Sequence, residues 1–242
     1  MAWRGSTGNA TATTGATFAV TGIKTIGGVG PQLNDIVILH GVATDSTSGT
    51  PFTMSSPGFS LAIASLQLTL SNCTFWALIK VAGASEPSSY TVTATGTGSG
   101  SATWAAQCNV FTGRNTTTPI TNTSTTASIN TGSPANIAVP SLVAASLDDI
   151  LWICGDGVNP TTHTSTLAPP SGFSNTLDTA PGGSFVPGAH SCNQVAFAGG
   201  ATGIQTGVLT FTGGINDDLG GFMISLAAAS GGSNSAPIAW VS

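Results

Sequence analysis

Asn34-Asp-Ile-Val-Ile-Leu-His40 and Asp148-Asp-Ile-Leu-Trp-Ile-Cys154 are two versions of one phrase, set about 114 residues apart. Each has an acid, then an apolar run. Each is followed by a turn-prone segment that ends in Gly-Phe-Ser, within Pro57-Gly-Phe-Ser60 and Pro170-Ser-Gly-Phe-Ser174. A near-continuous apolar run of strand length is the mark of a strand buried on both faces or packed against a neighbour. The acid in front of it fits a strand start, where a carboxylate accepts backbone N–H groups of a turn.

What lies around the two phrases also repeats. After the first come TFWALIKVAG (74–83), YTVTATGTG (90–98) and TWAAQCNVFTG (103–113). After the second come CNQVAFAGG (192–200), GVLTFTGG (207–214) and LGGFMISLA (219–227). With Asp35 matched to Asp149, strand order and turn chemistry recur at similar spacing. YTVTAT alternates cleanly, with Tyr90, Val92 and Ala94 on one face and Thr91, Thr93 and Thr95 on the other.

Helical stripes of period 3.6 are missing, and so are the 10–15-residue helices that parallel βαβ units require. The expected class is all-β and antiparallel. Two arrangements satisfy the repeat: two small domains in tandem, or one jelly-roll-like β-sandwich built from two similar Greek-key halves. No charged or Pro-rich linker separates the halves, which favours the single sandwich, four strands from each half closing an eight-stranded double sheet. In that reading 1–27 is an N-terminal arm with a first strand. The sandwich spans 28–228, its halves are 28–113 and 137–228, and 114–136 is a Thr/Ser-rich connection. Residues 229–242 form a C-terminal tail.

Composition narrows the function. Hydrophobic residues make up 40% of the 242, enough for a core, while charged residues make up 5%, against about 25% in an ordinary soluble domain. A free monomer is usually kept soluble by interspersed charge. A surface of Ser, Thr and Gly instead suits a protein that lives packed against neighbours. The bases are Arg4, Lys24, Lys80 and Arg114, and the net charge is −5. Four scattered bases cannot neutralise a row of phosphates, so nucleic acid and anionic membranes are excluded as partners. No stretch reaches 18 apolar residues, so no transmembrane helix is expected. The first 20 residues lack a signal-peptide pattern, so synthesis in a cytoplasm and solubility until assembly are expected. Cys73, Cys108, Cys154 and Cys192 contain no C-x-x-C pair. They read as buried free thiols, with Cys73–Cys108 or Cys154–Cys192 bridges as the alternative.

Candidate chemistry is sparse. His40, His163 and His190, with Asp35, Asp156 or Asp178, suggest a triad or metal site, but no ligand spacing such as H-x-H or H-E-x-x-H occurs. They read as loop or core-edge histidines. No G-x-S-x-G elbow is present; Gly96-Thr-Gly-Ser-Gly100 has the wrong spacing. The doublets Asp148/Asp149 and Asp217/Asp218 point their side chains to opposite faces if they lie on strands, so neither makes a glycosidase pair. They read as turn caps, or as a weak Ca²⁺ site in loops. No cofactor is implied. Trp76, Trp104 and Trp152 sit within strand patterns and belong to the core. Trp3 and Trp240 lie near the termini and, with Arg4, are the candidate interface residues, since aromatic and Arg side chains are enriched at interface cores. The sequons at Asn9, Asn72, Asn115 and Asn122 read as composition.

Several stretches together resemble a β-sandwich module of tailed-phage structural proteins and their prophage relatives. They are PQLNDIVIL (31–39), SPGFS (56–60), FWALIKVA (75–82), SSYTVTATG (88–96) and WAAQCNVFTG (104–113). The likeness covers about 28–113 well and 137–228 more loosely. The chain departs from it at Asn34-Asp35, where Gly-Asp is common, and at Thr112-Gly113, where Arg-Gly is common. The resemblance implies a non-enzymatic virion protein of the capsid-decoration, head-fibre or tail-adhesion type, and it brings no catalytic residues. The leading expectation is a capsid decoration (cement) protein on the virion surface. Its partners would be the major capsid protein and further copies of itself, most simply as a trimer. The alternative is a carbohydrate- or receptor-binding module of a tail fibre or baseplate.

Overall fold

A computed structural model describes residues 3–11, 14–44, 51–68, 73–130, 133–157, 163–180, 187–213 and 217–229. The first half holds eight strands: β1 (Trp3–Thr11), β2 (Thr17–Thr21), β3 (Ile36–Thr44), β4 (Thr53–Ser55), β5 (Ser60–Leu68), β6 (Cys73–Val81), β7 (Ser89–Thr95) and β8 (Thr103–Phe111). The second half holds β9 (Ile120–Asn130), β10 (Ala135–Val139), β11 (Val143–Ala144), β12 (Asp149–Asp156), β13 (His163–Ala168), β14 (Ser174–Thr179), β15 (Gly188–Gln194), β16 (Gly200–Ala201), β17 (Gln205–Gly213) and β18 (Asp217–Leu226). Every strand pairing is antiparallel, so the all-β antiparallel class is borne out.

The repeat is complete at the level of topology. In the first half a five-stranded sheet runs β1-β8-β3-β6-β5 and a three-stranded sheet runs β2-β7-β4. In the second half the five-stranded sheet runs β9-β18-β12-β15-β14 and the three-stranded sheet runs β10-β17-β13, with the small β11-β16 ribbon added. Strand for strand, β1 corresponds to β9, β3 to β12, β5 to β14, β6 to β15 and β8 to β18. Two similar halves are therefore present, but each supplies a five-stranded and a three-stranded sheet of its own rather than four strands of a shared double sheet.

Two segments carry more structure than their composition suggested. The arm 1–27 contributes β1 and β2 to the first half. The Thr/Ser-rich stretch 114–136 contains β9, which opens the second half as β1 opens the first. Thr is β-branched and fits a half-exposed edge strand, so a run that looks like loop chemistry pairs along most of β18.

Three cores follow from this layering. One lies between the first half's sheets, around Trp76, Trp104, Leu39 and Val92. Another lies between the second half's sheets, around Trp152, Ile150, Leu209 and Met223. The third lies between the two five-stranded sheets and joins Ile36, Ile38, Val42 and Phe75 to Leu151, Ile153, Phe222 and Ile224. The layers thus stack as three, five, five and three strands. β3 and β12 are buried at every residue because each is central in an inner layer. That explains the unbroken apolar phrases: Val37, Leu39 and Ala43 face the first half's own core, and Ile36, Ile38 and Val42 face the other half.

The acids at the strand starts behave as expected, with a change of register. Asp35 accepts the backbone N–H of Gln32 at 2.8 Å. The matching acceptor in the second half is Asp148, which takes the N–H of Ala145 at 3.1 Å. Asn34 and Leu147, just before them, both have positive φ, 69° and 71°. Asp35 therefore corresponds to Asp148, not Asp149. Asp148 also accepts Ser225 Oγ at 2.8 Å, Thr121 Oγ1 at 3.0 Å and the Ala228 N–H at 3.1 Å. Asp148 is itself buried, and Asp148→Ala removes the shared acceptor of four donors, among them the fully buried Ser225 hydroxyl. It should lower stability by about 3 kcal/mol, read as a shift of the urea midpoint at unchanged slope.

The Gly-Phe-Ser turns recur too. Phe59 N–H donates to Ser56 O, and Phe173 N–H to Pro170 O, while Gly58 and Gly172 sit at φ 77° and 83°, where a side chain is strained. The outermost strands of the two five-stranded sheets, β1, β5, β9 and β14, are all involved in register shifts. Such bulges twist an edge away from edge-to-edge pairing.

Candidate functional site

The densest group of ionisable side chains lies inside the second half, where β12, β13, β14 and β15 converge. His190 on β15 is fully buried. Its Nδ1 is 2.7 Å from Asp178 Oδ1, and its Nε2 is 3.0 Å from Ser165 Oγ and 3.4 Å from Asp156 Oδ1. Ser165, His190 and Asp178 thus stand in the order of a nucleophile, base and orienting acid. His190, Asp156 and Asp178 were named as a conceivable triad or metal set on sequence; Ser165 was not. The four residues sit on four strands at irregular separations, so no spacing in the chain announces them.

The electrostatics argue against nucleophilic chemistry. Burial by itself would lower the His190 pKa. The hydrogen bonds and negative charge of Asp156 and Asp178 outweigh it and raise the value to about 9. At neutral pH the ring is an imidazolium, with both nitrogens donating. A base must offer a lone pair to the hydroxyl it activates, and this one has none. Ser165 is also only 2% exposed. No group of three or more metal-ligating side chains with suitable geometry occurs among the described residues. The cluster is an ion network, buried at Asp156, Ser165 and His190 and reaching the surface at Asp178, that ties β12, β13, β14 and β15 together.

A second polar network crosses between the two halves. Gln107 on β8 donates from Nε2 to Ala189 O at 2.7 Å, to Leu177 O at 3.0 Å and to Thr179 Oγ1 at 3.1 Å. Its Oε1 accepts Ser191 Oγ at 2.6 Å. Asn109 Nδ2 lies 3.2 Å from Ser191 Oγ and 3.0 Å from His40 Nε2. His40 is fully buried. Burial, then the charge on His190, lowers its pKa to about 3, so it is neutral here and accepts from Asn109. Of the three histidines, the structure brings His40 to the inter-half face and His190 to the second core. The side chain of His163 lies outside the described residues.

The few charges are almost all turned inward. Arg4 Nε is 2.6 Å from Asp35, Lys80 Nζ is 2.7 Å from Glu86, and Arg114 Nη1 is 3.6 Å from Asp149. Glu86 also accepts Tyr90 Oη at 2.7 Å and the Gly83 N–H at 2.6 Å. Burial pushes its carboxyl upward, but the bonds from Lys80, Gly83 and Tyr90 hold it below its usual range. Asp35, Glu86, Asp148, Asp149, Asp156 and Asp218 are all buried. Among the described residues Lys24 is the one exposed base without an ion pair. The described surface is left with hydroxyls, amides and aliphatic side chains, among them Val29, Leu33, Val143, Leu147 and Ile204.

The candidate interface residues resolve as follows. Trp3 is half-buried against the core between the halves, and Arg4 is committed to Asp35, so both serve contacts within the chain. Trp240 lies outside the described residues. Trp76, Trp104 and Trp152 are fully buried, as the strand patterns implied, and the four cysteines are buried free thiols. Asn9 and Asn115 hold backbone groups: Asn9 bonds Thr21, and Asn115 accepts the N–H groups of Thr117 and Thr118. Asn72 and the side chain of Asp217 lie outside the described residues. No helix among the described residues is long and apolar enough to cross a membrane. No protein-family model, curated protein or solved structure matches the chain.

Proposed function

We propose that this chain is a structural subunit of a tailed-phage virion, a decoration (cement) protein that binds the major capsid protein and further copies of itself on the head surface. The observation that carries the reading is the near-neutral outer surface. Almost every described charge is paired or buried inside, while Thr, Ser, Gly and aliphatic residues face out. Such a surface is suited to lasting burial against neighbours. Contacts of this kind are weak singly and strong when symmetry repeats them. The wrapped strand order of each half, with β1 and β8 neighbours and β2 and β7 facing them, supports reading each as a jelly roll.

The same surface weighs against the tail-fibre alternative. A sugar-binding face calls for exposed aromatic rings, whereas the large exposed apolar side chains among the described residues are all aliphatic.

A binding experiment separates the readings. Purified protein should saturate phage heads that lack it, with an affinity nearly constant between about 0.05 and 0.5 M salt, because few charges are available to be screened. Binding to host glycans with no affinity for heads would overturn the proposal. So would head binding that collapses as salt rises.

A further inference from the structure

The two halves meet as the subunits of a two-fold dimer do. β1 of the first half packs on β14 of the second, and β5 packs on β9. Since β14 corresponds to β5 and β9 to β1, the two contacts are one contact made twice. Reciprocity of this kind defines an isologous interface. On the pseudo-axis each residue meets its own equivalent. Val42 and Gly155 are equivalent in the register of β3 and β12, and they touch: a Cβ on Gly155 would collide with Val42.

Away from the axis the two sides differ in chemistry. Phe75 on β6 stacks on Phe222 of β18, with ring centroids 4.2 Å apart. Their equivalents are Ala189 and Gln107, in the registers where Phe75 faces Val42 and Phe222 faces Ile153. On that side Gln107 donates to Ala189 O at 2.7 Å. One step along, Asn109 and Ser191 are bonded, where the other side sets Ile224 and Ala77 in the apolar core. One flank of the axis is therefore apolar and the other is polar.

We infer that this asymmetry is a pairing code. It makes the five-stranded face of the first half a surface for the second half, and a poor one for the first half of another copy. In a first-half homodimer Phe75 would face Gln107 on both flanks. Each glutamine would then lose its partners Ala189 O, Leu177 O and Thr179 in a buried place. In a second-half homodimer Phe222 would face Ala189 on both flanks, and Ser191 would lose Gln107 and Asn109. The code is independent of what the outer surface binds.

The test starts from the full chain with a protease site placed between Thr117 and Thr118, in the exposed segment that joins the halves. The folded protein is cleaved. A natural-isotope preparation and a ¹⁵N-labelled one are mixed, unfolded in urea and refolded together. Native mass spectrometry then reads the composition of each complex. The code predicts complexes of one first half and one second half, with light and heavy pieces scrambled. First–first or second–second pairs, or pieces that fail to pair again, would overturn it. In the cleaved protein Gln107→Leu should weaken pairing about tenfold or more. Ser191→Ala, which removes only one hydroxyl, should shift it the same way by a smaller factor. Unchanged pairing in both variants would equally sink the inference.

Discussion

Replacing His190 with alanine should destabilise the protein by about 3–5 kcal/mol, the usual result of removing one partner from a buried ion pair. Asp156 would be left fully buried without its cation, and Asp178 would lose the donor that anchors β14 to β15. The effect should depend on pH in a specific way. The folded-state pKa, about 9, stands above the value of about 6.5 for an unfolded histidine. The stabilisation is therefore complete below about pH 6.5 and is lost as pH rises through about 9. His40 runs in the other direction. Its folded pKa is lowered to about 3, so its contribution is complete above about pH 6.5 and is lost as pH falls toward 3. Each group contributes a slope of up to about 1.4 kcal/mol per pH unit within its window. Urea unfolding followed across pH should show the alkaline loss shrink in His190→Gln and part of the acid loss shrink in His40→Gln. If His190→Gln kept the full alkaline loss, the assignment of that limb to His190 would be wrong.

The second large effect is expected at the stacked rings between the halves. Phe222→Ala should cost about 3–5 kcal/mol, because it opens a cavity in a dense core that backbone hydrogen bonds hold on both sides. Phe75→Ala should cost a similar amount. The double variant should lose about 1 kcal/mol less than the sum, since the two rings share one stack. Thermal unfolding of the four proteins in the cycle gives the coupling directly. Full additivity would mean that the two rings do not act together, and that the inter-half core is looser than the geometry indicates.

Both effects come from places that the sequence shows unevenly. The all-β class was legible because the apolar runs are short, β-branched and separated by Gly, Pro and Asn. The repeat was legible because both strand starts carry an acid and both later turns carry Gly-Phe-Ser. The register of the repeat was not. Asp148 and Asp149 are adjacent, and either can be matched with Asp35. A slip of one residue turns every side chain to the opposite face. Only the hydrogen bonds of Asp35 and Asp148 to the residue three before them decide it. Leu147 in a left-handed conformation, where Asn34 sits in the first half, hides the match further.

The size of each half was hidden for a different reason. β9 is almost entirely Thr, Ser and Asn, and β1 is rich in Gly, Thr and Asn. Their pairing comes from neighbouring strands rather than from hydrophobic alternation. The doubly buried phrases pointed to a strand covered on both faces. They could not say that the cover on one side is a second copy of the same architecture. The His190 cluster has no spacing in the chain that marks it. What spacing could not show is that three strands bring Asp156, Ser165 and Asp178 around one ring, or that two carboxylates keep that ring charged. The inward turn of Arg4, Lys80 and Arg114 was equally invisible in composition, although scarcity of charge had already suggested a surface made for packing.

The most direct test of the virion reading is cryo-electron microscopy of intact phage particles with and without this protein. The reading predicts density at symmetric positions over the capsid lattice, present in the first and missing in the second. That density should fit two stacked β-sandwiches per copy, with the copies grouped around a symmetry axis. Density confined to the tail, or identical particles in both preparations, would contradict it.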